Sequence, residues 1–320
     1  MPAGAAGYHQ GSGWDTHYHS PALAAEVVEL LGGSALVLDG TLGGGGHSAA
    51  LLEYGVERVV GVDRDPDAIA EATVRLDHAM AAGRFAAYRG NYAAIDGIPE
   101  IADLRFTGIL LDLGISSHQI DDAARGFSFR EGAPLDMRMG ADAAVSAGEL
   151  LDTADERELA RIFREYGDEP RAARLAREIV RRRATRPFET SDDLVGAIRG
   201  AFGARSGPPE FARLFQAVRI AVNDELAGLS RALPLLRDRL APGGIFAVIA
   251  YHSGEDRMVK HAFRDWSTDC ICPPRHPMCT CGGDHALGEV LTRRAIVASA
   301  GEVARNPRAR SAKLRAWRAK

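Results

Sequence analysis

The sequence predicts a doubly wound α/β domain interrupted by an all-helical insert. Three observations carry this. Between residues 19 and 124, short apolar runs alternate with segments of helical periodicity. These runs are nearly continuous, and three of them end in aspartate. Between 125 and 215 no strand pattern appears. Strands that are apolar on both faces belong in a parallel sheet covered by helices on each side.

Taken in order, residues 22–31 repeat apolar positions at helical spacing and stop at Gly32-Gly33. Residues 35–38 form a first strand ending in Asp39, followed by the loop GTLGGGG. Helical periodicity resumes from His47 to Tyr54, and Arg58 to Val62 is a second strand ending in Asp63. Pro66 opens a helix expected to run to Met80. Phe85 to Tyr88 and Gly108 to Leu111 are the third and fourth strands, the latter ending in Asp112. In the insert, Thr153 and Glu156 read as a capping box before the stripe Leu159, Ile162, Phe163 and Tyr166. A second helix runs through an arginine-rich stretch, and Thr190 or Ser191 caps a third. After the loop from Gly203 to Pro209, residues 211–240 read as one long helix with Pro234 as its candidate break. Pro242-Gly243-Gly244 turns into a strand from Ile245 to Tyr251, and a helix follows from about Glu255. Two last strands are expected at 291–298 and 312–317. The division is a tail at 1–18, an α/β domain made of 19–124 and 216–320, and the insert at 125–215.

With 46% hydrophobic residues and a net charge of −4, the 320-residue chain has the composition of a folded protein rather than a disordered one. The runs GILLDLGI and GGIFAVIA fall short of the ~20 apolar residues a bilayer demands, so no membrane partner is expected. The first residues lack a basic start followed by an apolar stretch, so no signal peptide is expected either. All four cysteines lie between 270 and 281, too close together for a distributed disulfide framework, which points to the cytoplasm. Charge is unevenly spread. Residues 293–320 carry a net of +8 and residues 171–186 a net of +6, which leaves −18 on the remainder. Two basic segments on an acidic chain fit a polyanion-binding surface, or a pair of solvated arginine faces.

In an open parallel sheet, ligands bind at the carboxyl ends of the strands near the switch point. Asp39, Asp63 and Asp112 stand at such ends, beside glycines that let a ligand approach the backbone. Asp63 is placed to accept hydrogen bonds from ribose hydroxyls, which suits NAD and S-adenosylmethionine alike. The glycines do not match G-x-G-x-x-G cleanly, and three carboxylates repel a pyrophosphate but tolerate a cationic sulfonium. A glycine turn with three solvated acids is the plain alternative.

Nine collinear segments go further: HSPALAAEVVELL, DGTLGGGGHS, VVGVDRDPDAI, GILLDLGISSHQIDD, RGFSF with PLDMRM, FQAVRIAVNDEL, LAPGG, HSGEDRMVK and NPRARSAKLR. Together, from about 19 to 315, they resemble the bacterial small-subunit ribosomal RNA methyltransferase family called RsmH or MraW. The chain departs from that pattern at Ala133, where a glycine is usual, at Gly254, where leucine is usual, and at Tyr251, where phenylalanine is usual.

The resemblance implies a class I S-adenosylmethionine-dependent methyltransferase fold. It also implies methylation of the exocyclic N4 of a cytidine in the decoding region of 16S rRNA. The implied cofactor contacts are Gly45, Gly46, His47, Asp63, Tyr92, Asp112 and Gln119. Asp112, Ser116 and Ser117 are candidate acceptors for the amine, and His252 a candidate flank for the base or a cap for the following helix. Arg174, Arg177 and Arg181 share one helix face, and with Arg305, Arg308 and Arg310 they are candidate phosphate contacts. The implied partner is 16S rRNA in the small ribosomal subunit, and a homodimer is left open. An assembly factor that keeps the fold without catalysis, and an NAD-dependent oxidoreductase, are the competing classes. Cys270, Cys272, Cys279 and Cys281 form a C-x-C-x6-C-x-C array, read either as a structural zinc site or as free thiols in a Pro-rich loop.

Overall fold

The apolar runs assemble into one eight-stranded sheet. The structure, a computed structural model, describes residues 21–273 and 278–320, without the side chains of 117 and 118; the expected tail at 1–18 lies outside these. The strands are β1 (Leu36–Asp39), β2 (Arg58–Asp63), β3 (Phe85–Arg89), β4 (Phe106–Asp112), β5 (Leu240–Ala250), β6 (Gly288–Val290), β7 (Ile296–Val297) and β8 (Lys313–Ala319). Their order is β3-β2-β1-β4-β5-β8-β6, with β7 also on β8. The first five run parallel, and β8 enters antiparallel between β5 and β6. The chain reverses its direction of travel between β1 and β4, so the switch point falls between Asp39 and Asp112.

Alternation along the strands fills two cores. Leu38, Val60, Ile109, Leu111, Phe246 and Val248 join the cluster on one face. Val37, Val59, Leu110, Ala247 and Ile249 join the other. A third cluster belongs to the helices between 127 and 222, where Leu159, Ile162 and Phe163 pack against Leu175, Ile179, Leu194 and Phe215. Helix Pro208–Val222 crosses residue 215 and lies along this third core through Phe211, Leu214, Val218 and Val222.

Polar side chains pin the helical part to the sheet. The buried Asn223 accepts from Met139 N–H at 2.8 Å and donates to the Met137 carbonyl at 2.7 Å. Arg64, just past β2, bonds both Asp142 and the Asn223 carbonyl. Arg219 and Glu225 form a largely shielded bidentate pair across the same junction, at 2.8 and 3.0 Å.

Four expected elements differ. The helix from Pro66 ends at Arg75, because Leu76 leaves helical backbone to bury its side chain, and a short helix Asp77–Ala81 follows. Thr153 and Glu156 are not a box: Thr153 ends helix Ala147–Thr153 and bonds back to the Glu149 carbonyl, while Asp155 caps the next helix. The long helix breaks at Asn223-Asp224, where Asp224 stands at φ +52, and Pro234 is carried inside helix Glu225–Arg237. The tertiary bonds of Asn223 decide that break, which a search for prolines passes over. Finally, of the strand expected at 291–298 only Ile296–Val297 pairs, as β7, while β6 lies just before the expected run at Gly288–Val290. Leu291 and Thr292 both donate to the Ala316 carbonyl, and the Thr292 hydroxyl accepts from Ala316 N–H, which kinks the run.

Candidate active site

A cleft opens at the carboxyl ends of β1, β2, β4 and β5, with an empty volume of about 1090 Å³ counted to its open mouth. Its floor is the loop after β1. Gly43 stands at φ +51 and donates its N–H to Asp63 Oδ2 at 2.8 Å, while Asp65 N–H donates to Oδ1 at 2.9 Å. Each Asp63 oxygen thus keeps a lone pair for a ligand hydroxyl. Loss of water around Asp63 raises its carboxyl to about 6, against the pull of those two N–H groups.

The opposite wall is built on Asp112. Its N–H donates to Thr41 Oγ1 at 2.6 Å, its Oδ1 accepts from the Tyr251 hydroxyl at 2.9 Å, and its Oδ2 lies 3.7 Å from His47 Nδ1. His47 is buried, with Nε2 2.9 Å from the Ala22 carbonyl. A carbonyl only accepts, so Nε2 carries the proton and Nδ1 is the atom presented to Asp112. Burial and the neighbouring Asp112 push the Tyr251 phenol well above its ordinary value, so it stays a donor. Burial likewise raises the Tyr92 phenol.

Asp65 organises the entrance. It caps helix Pro66–Arg75 through Asp67 N–H, accepts from Gln119 Nε2 at 2.8 Å, and pairs with Arg125 at 3.0 Å. Gln119 also accepts from Ser116 N–H and donates its own N–H to Ser116 Oγ, which folds residues 116–119 into a closed turn.

The expected residues divide accordingly. Gly46, His47, Asp63, Tyr92, Asp112, Ser116 and Gln119 all line the cleft. Gly45 does not line it. It turns the chain at φ +76 with its back to Ala72 and Leu76, and Gly43 takes the position facing the cleft. Ser117 opens helix Ser117–Asp121, but its side chain lies outside the described set. His252 is a helix cap: Nδ1 accepts from Gly254 and Glu255 N–H, and Nε2 stands 3.2 Å from Glu255 Oε1. Asp39 is fully buried beneath the loop and bonded by Ser48 at 2.7 Å, away from the lining.

Sequence reasoning missed Thr41, Glu225 and Glu255 as lining residues, and it noted Tyr251 only as a departure. For Tyr251 the signal was present, since a hydroxyl added one residue past β5 needs a partner there.

A model of the MraW methylase family matches residues 16–320. The chain belongs to the MraW methylase family. The protein called ribosomal RNA small subunit methyltransferase H in Gemmatimonas aurantiaca is 62% identical over 307 residues, covering 96% of this chain and 97% of that one. Proteins of the same name from Heliobacterium modesticaldum and Anaeromyxobacter dehalogenans are 47% and 48% identical, each over 93% of this chain. The strand order, with one antiparallel strand entering beside β5, is the class I S-adenosylmethionine-dependent methyltransferase arrangement.

In this MraW methylase chain the basic residues stand apart from the cleft lining. Arg174, Arg177 and Arg181 are exposed on helix Ala172–Arg183. Arg181 is tied to Glu178 at 2.7 Å, whereas no acid among the described residues pairs with Arg174 or Arg177. Arg305 and Arg310 are exposed, and Arg308 holds both oxygens of Asp121 at 3.1 Å. No helix among the described residues is long and apolar enough to cross a membrane.

Proposed function

We propose that this chain transfers a methyl group from S-adenosylmethionine to the exocyclic N4 of a cytidine in the decoding region of 16S rRNA, in the cytoplasm. The observation that carries the reading is the chemistry of the cleft. Asp63, Asp112, Asp224, Glu225 and Glu255 line it, with Arg64 as the one guanidinium among the described residues, and that guanidinium is already held by Asp142 and the Asn223 carbonyl. Such a wall disfavours a pyrophosphate and suits a cation beside a ribose. Bound there, S-adenosylmethionine supplies an electrophilic methyl group on a sulfonium.

The residues then divide the work. Asp63 accepts from the ribose hydroxyls, Tyr92 packs beside the base, and the Asp112–Tyr251–His47 cluster fixes the opposite wall. An exocyclic amine needs no strong base; it needs acceptors for its N–H groups and a fixed line of approach. The Asp112 carboxylate, the Ser116 hydroxyl and the backbone of residues 113–115, all in the cleft lining, are the acceptors this reading assigns. No cysteine lines the cleft, and all four lie between 270 and 281. Methylation at the ring carbon C5 by way of a thiolate adduct therefore has no nucleophile here, which favours the amine. The target base leaves its stack to enter. Arg174, Arg177, Arg305 and Arg310 contact the phosphates around it, and Arg181 and Arg308 do so if they leave their acids.

Mass analysis of 16S rRNA from a strain lacking this gene tests the reading. One methyl group should disappear from a decoding-region cytidine and return with the gene. An unchanged mass would overturn it.

A further inference from the structure

Between helix Ser253–Trp266 and β6, not one described residue from 267 to 287 is buried, and Ile271 and Met278 are 65% and 74% exposed. The described residues of this loop contribute no apolar core. Yet four cysteines from its two halves converge: the Sγ atoms of Cys270, Cys272, Cys279 and Cys281 all lie within 4.8 Å of one another.

The spacings within the group discriminate among chemistries. Cys270, Cys279 and Cys281 form a triangle with sides of 3.7, 3.5 and 3.7 Å. A disulfide would bring two sulfurs to about 2.05 Å and leave the others apart. Thiolates around an iron–sulfur cube sit on separate irons and stand farther from each other. Four sulfurs each ~2.3 Å from a tetrahedral zinc ion are about 3.8 Å apart, close to the sides observed. The outer contacts agree. Thr280 N–H points at Cys272 Sγ from 3.3 Å, a donor suited to a bound thiolate, and His285 Nε2 fixes the Cys281 carbonyl at 3.0 Å. Gly282 and Gly283, at φ +81 and +73, fold the chain back just after the last cysteine.

We infer that Cys270, Cys272, Cys279 and Cys281 form a tetrathiolate site for one structural zinc ion. Binding releases the thiol protons to solvent and closes a loop that has no core of its own. The site lies past the far end of the 14-residue helix that His252 caps, about 20 Å of helix axis from the cleft, so it holds the C-terminal edge of the sheet and takes no part in methyl transfer.

The full-length chain, purified in reductant, dialysed against a weak chelator and analysed for metals, should hold one zinc per chain. The cobalt-loaded chain should show the intense near-ultraviolet thiolate-to-metal bands and visible bands of a tetrahedral tetrathiolate. The double variant Cys279→Ser/Cys281→Ser should lose the metal. If that variant does not fold, the cobalt spectrum of the unaltered chain still decides. A folded chain that retains less than a tenth of an equivalent after zinc addition and gel filtration would overturn the inference. So would stoichiometric iron in place of zinc, or four thiols that react with a disulfide reagent equally fast with and without zinc.

Discussion

The Tyr251 hydroxyl donates to Asp112 Oδ1 at 2.9 Å, joining the carboxyl end of β4 to the first residue past β5. Those strands pair in parallel up to Asp112 and Ile249, so this bond closes the ladder with side chains where the backbone separates. Tyr251→Phe leaves a largely buried carboxylate short of one donor. The variant should be less stable by about 1–3 kcal/mol. Equal urea midpoints for the two chains would show that the bond contributes nothing.

Asp63 gives a pH dependence with a definite sign. Its carboxyl rises from an ordinary 3.8 to about 6, so the folded chain holds more protons than the unfolded one between those values. Its contribution to stability therefore declines as pH rises through that window. Ribose hydroxyls donate to the ionised form, so affinity for S-adenosylmethionine should fall as pH drops below about 6. In Asp63→Asn that dependence should vanish. Asp63→Ala should weaken binding at neutral pH by ~1.5–3 kcal/mol. Calorimetry across pH reads all three, and a flat profile for the unaltered chain would remove Asp63 from the ribose role.

Arg219 and Glu225 are paired at 2.8 and 3.0 Å with both side chains nearly shielded from water. Removing one partner leaves a largely shielded charge unpaired at the cleft. Arg219→Ala should cost about 3–5 kcal/mol, whereas an exposed pair such as Arg264–Asp265 should cost under about 1. Denaturant unfolding of the two variants compares them directly.

The exposed arginines separate RNA docking from cofactor chemistry. Arg174→Ala/Arg177→Ala removes two guanidinium groups that no acid among the described residues engages. The slope of log K for rRNA binding against log salt should become shallower by about 1.4–1.8. Affinity for S-adenosylmethionine should be unchanged. Filter binding at several salt concentrations reads the slope, and an unaltered slope in the folded variant would mean that this face is only solvated.

Strands β1, β2 and β4 were legible because each is a continuous apolar run ending in an acid, and the order of those runs alone placed Asp39, Asp63 and Asp112 at one edge. Among the lining residues, Asp63 and Asp112 were legible as strand-end acids, whereas Tyr92 and Gln119 followed from the resemblance, since neither carries a local pattern that marks a ligand. What escaped was tertiary. The break at Asn223 depends on carbonyl and amide groups 84 and 86 residues away, and no window along the chain contains both ends of those bonds. Gly45 and Gly43 cannot be told apart by spacing either. Only the packing of Ala72 and Leu76 behind Gly45 shows which glycine faces the cleft.

The central claim is that the methyl group goes to the exocyclic amine of a cytidine. The most direct measurement incubates the purified chain with isotopically labelled S-adenosylmethionine and small subunits from a strain lacking the gene, then digests the rRNA and analyses its nucleosides by mass spectrometry against synthetic standards. The account predicts label in N4-methylated cytidine, confined to one site in the decoding region. Label in 5-methylcytidine or only on a ribose, or none at all from a chain that binds the cofactor, would contradict it.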